Sequence, residues 1–437
     1  MIVDFKGDIG IVTDDSRKAD KDSTFLITKL NKNYTNEATS KKSKLITPKE
    51  LIDKLELNSL KIIGITGTNG KTTTTAAIYS ILLDLGYKVA LQGTRGFFIN
   101  DKRIEDKSLT TPPSLATISH MLKAKKDGCE VFVMEVSSHA IDQNRIEGID
   151  FTLKIHTNIT SDHLDYHKSL EKYRAVKESF FQDSCKKLIN RDEKILNFDI
   201  RNSFSYGIEN PATYKIVAYT LSRGVSGVLK HFETVVSFET SLQGFFNLYN
   251  ITAAIAAVHI LTNEDLSEIC KVAENFGGVC GRMEIVSEKP LIIVDFAHTE
   301  DGIKQVLDSL KEKELKVVFG AGGNRDRSKR PAMGQVAASI AKKVYLTSDN
   351  PRSEDPAKII DEIAKGIKEK DKIEKIVDRK SAIKKAIDEL EDKEVLLVLG
   401  KGDETYQEIN GKKIPFSDKE AIREILKNRK TTSKHGC

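Results

Sequence analysis

The sequence predicts an α/β fold in which mostly parallel strands alternate with helices. Three observations lead to this prediction. A glycine-rich stretch joins a short apolar run to a segment of helical periodicity, strand and helix patterns alternate through the second half of the chain, and clusters of polar residues follow the predicted strands. Such alternation is typical of parallel sheets with helices packed against them. At 437 residues, the chain is long enough for about three domains of ~100–200 residues each.

Composition narrows the class of protein. The chain is 39% hydrophobic and 30% charged, and its net charge of +5 comes from interleaved basic and acidic residues. A charge this small and dispersed predicts no nucleic-acid partner. No leader pattern opens the chain, and no run approaches the ~18 apolar residues that span a bilayer. Five cysteines without CxxC spacing indicate a reducing compartment, so we expect a cytoplasmic protein that binds no membrane.

The first 58 residues predict a small N-terminal α/β unit. Short strands are expected over 10–13 and 24–27, on either side of the polar segment 14–17, Asp-Asp-Ser-Arg. Residues 35–44 are polar and predict a loop. Nothing in this unit could form a large core.

Residues 64–73, Gly-Ile-Thr-Gly-Thr-Asn-Gly-Lys-Thr-Thr, predict a phosphate-binding loop in a central domain over 59–279. An apolar strand over 61–65 precedes the loop, and the apolar spacing of 72–85 predicts the helix that follows. Glycines let backbone N–H groups approach phosphate oxygens, and the helix N-terminus adds its positive end.

Two side chains of this loop have expected roles. Lys71 would reach the outer phosphates of a nucleotide, and the Thr72 hydroxyl would take a ligand position on Mg²⁺. The general nucleotide-loop pattern has a glycine where Ile65 stands, so a plain glycine-rich β–α turn is the alternative. We therefore predict a P-loop ATPase-like central domain that uses ATP or GTP.

Polar residues follow two further predicted strands of the central domain. The strand over 129–134 ends at Glu135, and the strand over 151–157 ends at Asn158. Open α/β sheets bind ligands outside the carboxyl ends of their strands, so these residues should converge with the glycine loop. A carboxylate such as Glu135 suits Mg²⁺. His163 is a less usual magnesium ligand, and a hydrogen-bonding histidine is the alternative.

Residues 280–437 predict a C-terminal, Rossmann-like doubly wound domain. Predicted strands lie at 291–294, 316–319, 343–346, 373–377 and 395–399, with helices at 301–311, 333–341, 356–368 and 381–390. Polar segments again follow the strands, at 295–298, 320–326, 349–352 and 400–404. Because this part of the sequence has no second phosphate loop, we expect it to bind the other substrate. Closure of the domain would bring that substrate into line with the phosphate loop.

Several single residues have an ordinary structural interpretation beside the functional one. Lys177 lies on a predicted helix, where an exposed lysine is the default. Asp295 and His298 could handle a proton or an amine, or could be a capping aspartate and a surface histidine. Arg282 could fold over a triphosphate or form an interdomain salt bridge. Arg352 follows Asp-Asn-Pro, and a rigid guanidinium suits bidentate recognition of a carboxylate.

Taken in order, the motifs resemble those of the Mur ligases, the ATP-dependent amino-acid ligases that build the bacterial cell-wall peptide. The loop with Ile65 in place of glycine is similar to the loop of Mur and folylpolyglutamate ligases. The resemblance covers nearly the whole chain and includes the segments 67–72, 135–139, 162–167, 281–284, 295–298, 322–326, 329–331, 349–352 and 400–404. It is closest to the branch of the family that adds the third residue of the peptide.

The resemblance implies roles for individual residues. It implies an ATP site made by Gly67, Thr68, Asn69, Gly70, Lys71, Thr72, Thr73, Asn247, Asn250 and Arg282. It implies Mg²⁺ ligands from Thr72, Glu135, His163 and Lys177, the last as a carbamate. It implies a UDP-muramoyl-dipeptide site made by Ser16, Arg17, Thr110, Thr111, Ser137, Gln143 and Arg145. It implies an amino-acid site made by Asp349, Asn350, Pro351, Arg352, Gly400 and Glu404. Lys71 and Lys177 are the expected catalytic residues, with Asp295 or His298 as hypothetical help for deprotonation of the amine.

The implied reaction adds meso-diaminopimelate to the D-glutamyl γ-carboxyl of UDP-N-acetylmuramoyl-L-alanyl-D-glutamate. The carboxylate would attack the γ-phosphate of ATP to give an acyl phosphate, and the amine of diaminopimelate would then displace phosphate. In the family, the sequence Asp-Asn-Pro-Arg, here at 349–352, goes with diaminopimelate, whose second carboxylate can take a bidentate arginine. The expected partners are these small molecules, and we expect a monomer.

The chain departs from the family pattern at a few places. The first domain is short, which leaves its uridine contacts open. Phe296 stands where the family usually has tyrosine, Asn324 stands where aspartate is common, and Asp403 replaces a histidine.

The same residues bear on four alternative functions. A lysine-adding ligase is opposed by Arg352, and a folylpolyglutamate ligase is opposed by the uridine-type segment 14–17. A P-loop switch or motor ATPase is the alternative from another class, but the sequence has no Asn-Lys-x-Asp guanine box. A non-catalytic binding protein with a degenerate loop is opposed by the intact Lys71 and Thr72.

Overall fold

The computed structural model describes residues 1–7, 9–106, 109–193, 196–222 and 224–432. The predicted α/β class is confirmed, because strands and helices alternate along the chain and the sheets carry helices on their faces. The chain divides into two compact units. The first comprises Met1–Ser241 and Asn247–Gly277, and the second comprises Leu242–Phe246 and Gly278–Cys437. The three-domain division with boundaries near 58 and 279 stays a prediction.

The first unit begins with a small mixed sheet. Its strands, in order across the sheet, are β1 (Ile2–Asp4), β2 (Ile11–Thr13), β3 (Ser23–Leu26) and β4 (Lys44–Ile46). Strand β1 is antiparallel to β2, and the other neighbours are parallel. The helices that accompany the sheet are α1 (Thr35–Ser40) and α2 (Pro48–Lys54).

Helix α1 lies where the sequence predicted a loop, so that prediction is wrong over these residues. The helix has one buried contact, because Ala38 is fully buried and packs with Phe25 and Ala19. Glu37 and Lys41 form an ion pair one turn apart. A single apolar position in so short a helix gives no periodic pattern, and tertiary packing decides its conformation.

The larger sheet of the first unit surrounds the glycine loop. Its strands are β5 (Lys61–Thr66), β6 (Val89–Gly93), β7 (Gly96–Ile99), β8 (Lys102–Glu105), β9 (Val131–Glu135), β10 (Leu153–His156), β11 (Lys186–Asn190), β12 (Ser203–Gly207), β13 (Tyr214–Thr220), β14 (Val225–His231) and β15 (Thr234–Thr240). They lie in the order β15–β14–β13–β12–β11–β10–β5–β9–β6–β7–β8. Strand β5 pairs in parallel with β9 and β10, so the carboxyl ends of the three strands lie side by side.

The helices of this unit cover the larger sheet. They are α3 (Lys71–Asp84), α4 (Ser114–Lys126), α5 (Ser138–Asp142), α6 (Leu164–His167), α7 (Leu170–Ser179), α8 (Phe245–Thr262, whose first two residues belong to the second unit) and α9 (Leu266–Ala273). Strands β5 and β9 are apolar on both faces and almost entirely buried, as expected of central strands in a parallel sheet.

Helix α8 is the one helix among the described residues that is long and apolar enough to cross a membrane. Its mean hydropathy is 1.4, and 61% of it is buried within the protein. Core helices of this kind pass the same test of length and composition, so the helix is weak evidence for a membrane span.

The second unit is a doubly wound sheet. Its strands are β16 (Glu284–Glu288), β17 (Leu291–Asp295), β18 (Glu314–Phe319), β19 (Lys343–Leu346), β20 (Ile373–Lys375), β21 (Glu394–Leu399) and the separate hairpin β22 (Tyr406–Ile409) and β23 (Lys412–Pro415). The order of the main sheet is β16–β17–β21–β18–β19–β20, and all pairs except β16–β17 are parallel.

Helices pack on both faces of this sheet and build two apolar clusters. The helices are α10 (Glu300–Asp308), α11 (Arg330–Ile340), α12 (Pro356–Ala364), α13 (Arg379–Asp388) and α14 (Asp418–Thr432). One cluster joins the sheet to α10, α11 and α12, and the other joins it to α13 and α14. The strands over 343–346 and 395–399 lie close to their predicted positions, because their apolar runs are buried on both faces.

Candidate functional site

The glycine loop connects β5 to α3 and has the shape of an anion cradle. Gly70 has φ +82° and directly precedes the helix, so backbone N–H groups of the first turn face outward from the helix N-terminus. The Lys71 ammonium donates to the carbonyl oxygens of Gly67 and Thr68 at 2.8 and 2.9 Å. This arrangement keeps the lysine charge over the loop, where phosphate oxygens would bind.

Residues at the end of β10 hold the loop in place, and sequence reasoning assigned no role to most of them. The backbone N–H of Thr68 donates to the Asn158 carbonyl, and that of Asn69 donates to the Asn158 side chain, both at 2.8 Å. The Thr157 hydroxyl donates to the Asn69 carbonyl at 2.7 Å. The Thr68 hydroxyl lies 3.0 Å from the Tyr173 hydroxyl. Parallel pairing of β10 with β5 places the residues after β10 beside the loop, and predicting this pairing from the sequence would have identified Thr157 and Asn158.

The loop glycines are also required by close neighbours. A Cβ atom on Gly67 would lie 1.8 Å from the Thr157 hydroxyl, and one on Gly70 would lie 2.3 Å from the Asn250 side-chain oxygen. Asn250 also donates to the Asn247 side chain at 2.9 Å, and both asparagines are buried on α8. The two predicted nucleotide-binding asparagines therefore lie together beside the loop.

Thr72 and Glu135 form the donor set of a candidate metal site. The Thr72 hydroxyl donates to Glu135 Oε2 at 3.0 Å, and Glu135 is almost fully buried at the end of β9. Glu135 also accepts hydrogen bonds from the Thr94 backbone N–H and hydroxyl at 2.9 and 3.2 Å. Hydroxyl and carboxylate oxygens are the ligands that Mg²⁺ prefers, so the residues present fit this ion.

The predicted metal ligand His163 lies at the start of α6. Its side chain is 47% exposed, its φ is +52°, and its ring makes an edge contact with the His139 ring at 4.8 Å. The ring Nε2 also lies 3.4 Å from Asp162 Oδ2. A role as ligand stays a prediction.

Lys177 is buried, so the exposed-helix alternative is excluded. Only 1% of the residue is accessible, and its Nζ donates to the Gly67 carbonyl at 2.9 Å and to the Thr66 hydroxyl at 3.3 Å. Burial, together with the nearby charge of Lys71, lowers the pKa of the Lys177 amine well below its usual value. The lowered pKa favours the neutral form of this amine, which is the nucleophilic form.

The residues predicted for the dipeptide substrate form a hydrogen-bonded chain that starts at Glu135. The Thr111 hydroxyl donates to the Glu135 carbonyl at 2.9 Å and accepts from the Ser137 N–H at 3.0 Å. The Arg145 guanidinium donates to the Thr111 carbonyl and, through Nε and Nη2, to Gln143 Oε1. Thr110 joins the same network through the Thr94 hydroxyl at 3.1 Å.

A cavity of about 550 Å³ in the first unit joins two groups of predicted substrate residues. Ser16 and Arg17 line one part of it, and Gln143 and Arg145 line another. Additional lining residues were not identified from the sequence, among them Asn31, Tyr34 and Glu37. The Ser16 hydroxyl donates to Glu37 at 2.8 Å. The misassigned helix α1 explains why Glu37 was missed.

The second unit contains the predicted proton-handling residues. Asp295 is buried, and its two oxygens accept the backbone N–H groups of Met283 and Ala297, each at 2.7 Å. Burial raises the pKa of this carboxyl. His298 is exposed, and its Nδ1 lies 2.9 Å from the Phe296 carbonyl. The Arg282 guanidinium stacks over the Phe296 ring at 4.4 Å, so phenylalanine at this position still holds a cation.

Asp349, Asn350 and Glu404 converge beyond the ends of β19 and β21. Asn350 donates to Glu404 Oε2 at 2.9 Å, and the fully buried Lys401 ammonium donates to Glu404 at 2.8 Å and to Asn350 at 3.1 Å. Asp349 Oδ2 is buried and has no hydrogen-bond partner in the part of the chain that the structure describes. A Cβ atom on Gly400 would lie 2.6 Å from this oxygen. Glycine at this position therefore avoids a clash with the Asp349 carboxylate.

Arg352 lies at the rim of the same site. Its φ is +53°, its Nη1 donates to the Gly323 carbonyl at 2.6 Å, and its Nε lies 3.3 Å from Glu408. The side chain is 26% exposed. Pro351 precedes it, and the loop 320–326 contacts its guanidinium, so the cation is held at a fixed place with one edge accessible.

Comparison with known proteins agrees with this geometry. Residues 65–258 match the family model described as Mur ligase middle domain, and residues 281–402 match the model described as Mur ligase, glutamate ligase domain. The chain is 57% identical, over 96% of each sequence, to the UDP-N-acetylmuramoyl-L-alanyl-D-glutamate–2,6-diaminopimelate ligase of Wolinella succinogenes. The chain belongs to the Mur ligase family. The corresponding ligase of Helicobacter hepaticus is 49% identical over 94% of this chain and 92% of its own.

Solved structures show the same Mur ligase architecture. A UDP-N-acetylmuramoyl-L-alanyl-D-glutamate–2,6-diaminopimelate ligase covers 98% of this chain and 100% of its own, with a TM-score of 0.70 and 29% identity. A folylpolyglutamate synthase of Mycobacterium tuberculosis covers 80% of this chain and 91% of its own, with a TM-score of 0.67. At 16% identity, that second likeness shows a shared fold only.

Proposed function

We propose that this Mur ligase uses ATP to join the amine of meso-diaminopimelate to the D-glutamyl γ-carboxyl of UDP-N-acetylmuramoyl-L-alanyl-D-glutamate. The observation that carries the proposal is the pairing of two sites in one chain. The glycine loop and the candidate metal ligands Thr72 and Glu135 lie in the first unit, and residues 349–352, the proposed amino-acid site, lie in the second. The relatives with this reaction in their names are similar over nearly the whole chain.

The first half of the reaction requires a phosphoryl transfer. Bound Mg²⁺ would neutralise charge on the phosphate oxygens of ATP, with Thr72 and Glu135 as its protein ligands. Lys71 would stabilise the negative charge that develops on the transferred phosphoryl group, and the loop N–H groups would orient it. The substrate carboxylate would then leave this step as an acyl phosphate.

The second half requires an amine that is held and then deprotonated. Asp349 and Glu404 offer carboxylates to an incoming ammonium group, and Asp349 Oδ2 accepts no hydrogen bond from the described residues. Arg352 would bind the distant carboxylate of diaminopimelate, which lysine does not have. The amine must lose a proton before it attacks the acyl carbonyl. His298, which is exposed beside Asp295, is the group that we assign to this step.

We also propose that Lys177 is carbamoylated. In its neutral form, the buried amine would attack CO₂, form the N–C bond and release one proton, which leaves an anionic carbamate at the edge of the phosphate loop. Such an anion could join Glu135 and His163 as a ligand for a metal ion. The support is the burial of Lys177 and its hydrogen bond to Gly67.

The cellular setting is proposed on the same basis. The substrates are cytoplasmic intermediates of cell-wall synthesis, and the cysteines in the described part of the chain, Cys129, Cys185, Cys270 and Cys280, are all free thiols. We propose a cytoplasmic monomer that acts on small molecules, with the N-terminal sheet and residues 59–279 forming separate substrate and nucleotide domains. Light scattering of the purified protein tests the monomer.

The deciding experiment measures phosphate release from ATP in the presence of the UDP-muramoyl-dipeptide. Reactions with meso-diaminopimelate and with lysine are compared at equal concentration. We expect release that depends on diaminopimelate and a much lower rate with lysine. Equal rates with both amino acids would reject the proposed specificity, and release that ignores the UDP substrate would reject the ligase reaction.

A further inference from the structure

Arg379 and Asp418 form a buried ion pair behind the amino-acid site. Both side chains have no accessible surface. Arg379 Nε donates to Asp418 Oδ1 at 2.7 Å, and Nη2 donates to Asp418 Oδ2 at 2.8 Å. The two residues begin the neighbouring helices α13 and α14, so the pair fixes two helix N-termini at one place.

The same guanidinium binds the backbone of two loops. Nη1 donates to the Ser348 carbonyl at 3.3 Å, and Nη2 donates to the Leu399 carbonyl at 2.8 Å. Ser348 directly precedes Asp349, and Leu399 directly precedes Gly400. Arg379 therefore reaches the first residue before each of the two segments that form the proposed diaminopimelate site.

The sheet itself does not join these two segments. Strand β18 lies between β19 and β21, so no ladder of hydrogen bonds connects the latter two strands. Each strand is held to β18 by its own ladder. Beyond the strand ends, the two segments are connected by side chains and by β22, whose Gln407 side chain donates to the Asp349 carbonyl at 2.8 Å. Arg379 supplies a further connection beneath the site, while Lys401 supplies one within it through Asn350 and Glu404.

The charges around Arg379 would also affect the binding of a substrate ammonium group. Burial by itself disfavours the charged guanidinium, but Asp418, Asp349 and Glu404 together raise its pKa above the usual value. The carboxylates of these three residues face two cations, Arg379 and Lys401, while Arg352 at the rim lies 3.3 Å from Glu408. The four carboxylates and three cations leave one negative charge in excess. A substrate ammonium would complete the balance, provided that Arg379 keeps Asp418 neutralised.

We propose that Arg379 is a positioning residue that sets the distance between the two amino-acid-binding segments without touching the substrate. This proposal rests on the proposed function, because the distance between the two segments affects activity only if diaminopimelate binds there. A planar guanidinium forms these four hydrogen bonds at fixed angles. A lysine at the same place has one nitrogen and cannot reach both carbonyls and both carboxylate oxygens.

A second buried ion pair of the same sheet provides a matched control. Lys316 Nζ lies 2.7 Å from Glu394 Oε2, and these side chains are 8% and 0% exposed. Lys316 lies near the start of β18 and Glu394 at the start of β21, at the sheet edge opposite the amino-acid site. Loss of Lys316 leaves Glu394 paired with Lys342 at 2.8 Å. Breaking the Lys316–Glu394 pair should therefore destabilise the second unit without moving the two segments.

The experiment measures kcat and the KM of each substrate for the full-length wild type, Arg379→Lys, Asp418→Asn and Lys316→Met, with Tm measured for all four. We expect Arg379→Lys to raise the KM for diaminopimelate by about tenfold or more while the KM for ATP changes by less than about twofold. Asp418→Asn keeps the side-chain size, and we expect a smaller effect in the same direction. Lys316→Met should lower Tm and leave the ratio of the two KM values unchanged.

Several outcomes would overturn the proposal. Equal changes of both KM values in Arg379→Lys, or the same ratio as in Lys316→Met, would make the pair a structural element only. If Arg379→Lys does not fold, the ratio in Asp418→Asn decides. Failure of the proposed function is distinguishable, because the wild type would then show no phosphate release that depends on diaminopimelate.

Discussion

The Thr72 hydroxyl donates a 3.0 Å hydrogen bond to the carboxylate of Glu135. This bond joins the first turn of α3 to the end of β9, two elements that are 63 residues apart in sequence. It brings the two oxygen types that Mg²⁺ prefers to the mouth of the phosphate loop. The candidate metal site is therefore a product of strand order, because β9 lies directly beside β5.

The first prediction concerns Thr72. Thr72→Val removes the hydroxyl and keeps the side-chain shape, so we expect kcat to fall by about 10²-fold or more and the Mg²⁺ concentration for half-maximal activity to rise. Thr72→Ser keeps a hydroxyl and should retain most of the activity. Phosphate release across a Mg²⁺ titration measures both values. An unchanged Mg²⁺ requirement in Thr72→Val would remove Thr72 from the metal site.

The second prediction compares two glycines at the ends of α3. Gly70 and Gly86 both have left-handed φ angles, +82° and +89°, but a Cβ atom has open space only at Gly86. Gly70→Ala would press on Asn250, and we expect the KM for ATP to rise by about tenfold or more. Gly86→Ala carries the backbone strain alone, of about 1–2 kcal/mol, and should leave the kinetics unchanged. Equal kinetics in both variants would separate Asn250 from nucleotide binding.

The third prediction concerns Arg352. Arg352→Ala removes the proposed partner of the distant carboxylate, and a hydrogen bond to a charged group contributes about 1.5–3 kcal/mol. We therefore expect the KM for diaminopimelate to rise by roughly 10- to 150-fold with little change in the KM for ATP. Arg423→Ala removes an exposed arginine of α14 and is the control for loss of charge. A parallel rise in both KM values would count against the assigned role.

The fourth prediction concerns carbamoylation of Lys177. Lys177→Ala should lose most activity, and short carboxylates such as acetate or formate should restore part of it, because they can replace the anion. Lys177→Arg keeps a cation, cannot form the carbamate and should stay inactive. A second readout is the ¹³C NMR spectrum of the wild type in ¹³C-bicarbonate, in which we expect a carbamate signal that Lys177→Ala lacks. Wild-type activity in Lys177→Ala would return the lysine to a packing role.

The fifth prediction concerns stability against pH. His156 is buried, and among the described residues neither of its ring nitrogens has a hydrogen-bond partner. Burial lowers its pKa from 6.5 to about 3. Between these two values the unfolded chain binds a proton that the folded chain does not, so stability is lost as the pH falls below about 6.5. By linkage this one group costs about 2 kcal/mol between pH 7 and pH 5.

His156→Phe tests that value, because the ring packs edge-on against Phe181 and phenylalanine keeps an aromatic ring there. We expect the free energy of unfolding in urea to depend less on pH in this variant, by about 2 kcal/mol over the same interval. His298→Gln replaces an exposed histidine and should keep the wild-type slope. A wild-type slope in His156→Phe would contradict the burial argument.

The sequence by itself determined the elements and the chemistry at their ends. Long apolar runs such as 316–319 and 395–399 predict buried strands, because only central strands are apolar on both faces. The glycine loop, Glu135 and the segment 349–352 could be identified because each requires particular residue types next to a strand end. Helix α1 was missed because its six residues contain one buried alanine, which gives no period to detect.

Tertiary structure alone decided which of these groups meet. Lys177 is an ordinary helical lysine in sequence, and only packing buries it against Gly67 and lowers its pKa. Arg379 and Asp418 are 39 residues apart, and no local pattern connects them. Strand order places β18 between β19 and β21, and the buried guanidinium of Arg379 joins the residues beyond the ends of those two strands. Contacts of this kind join side chains from distant elements, so local patterns in one sequence could not predict them.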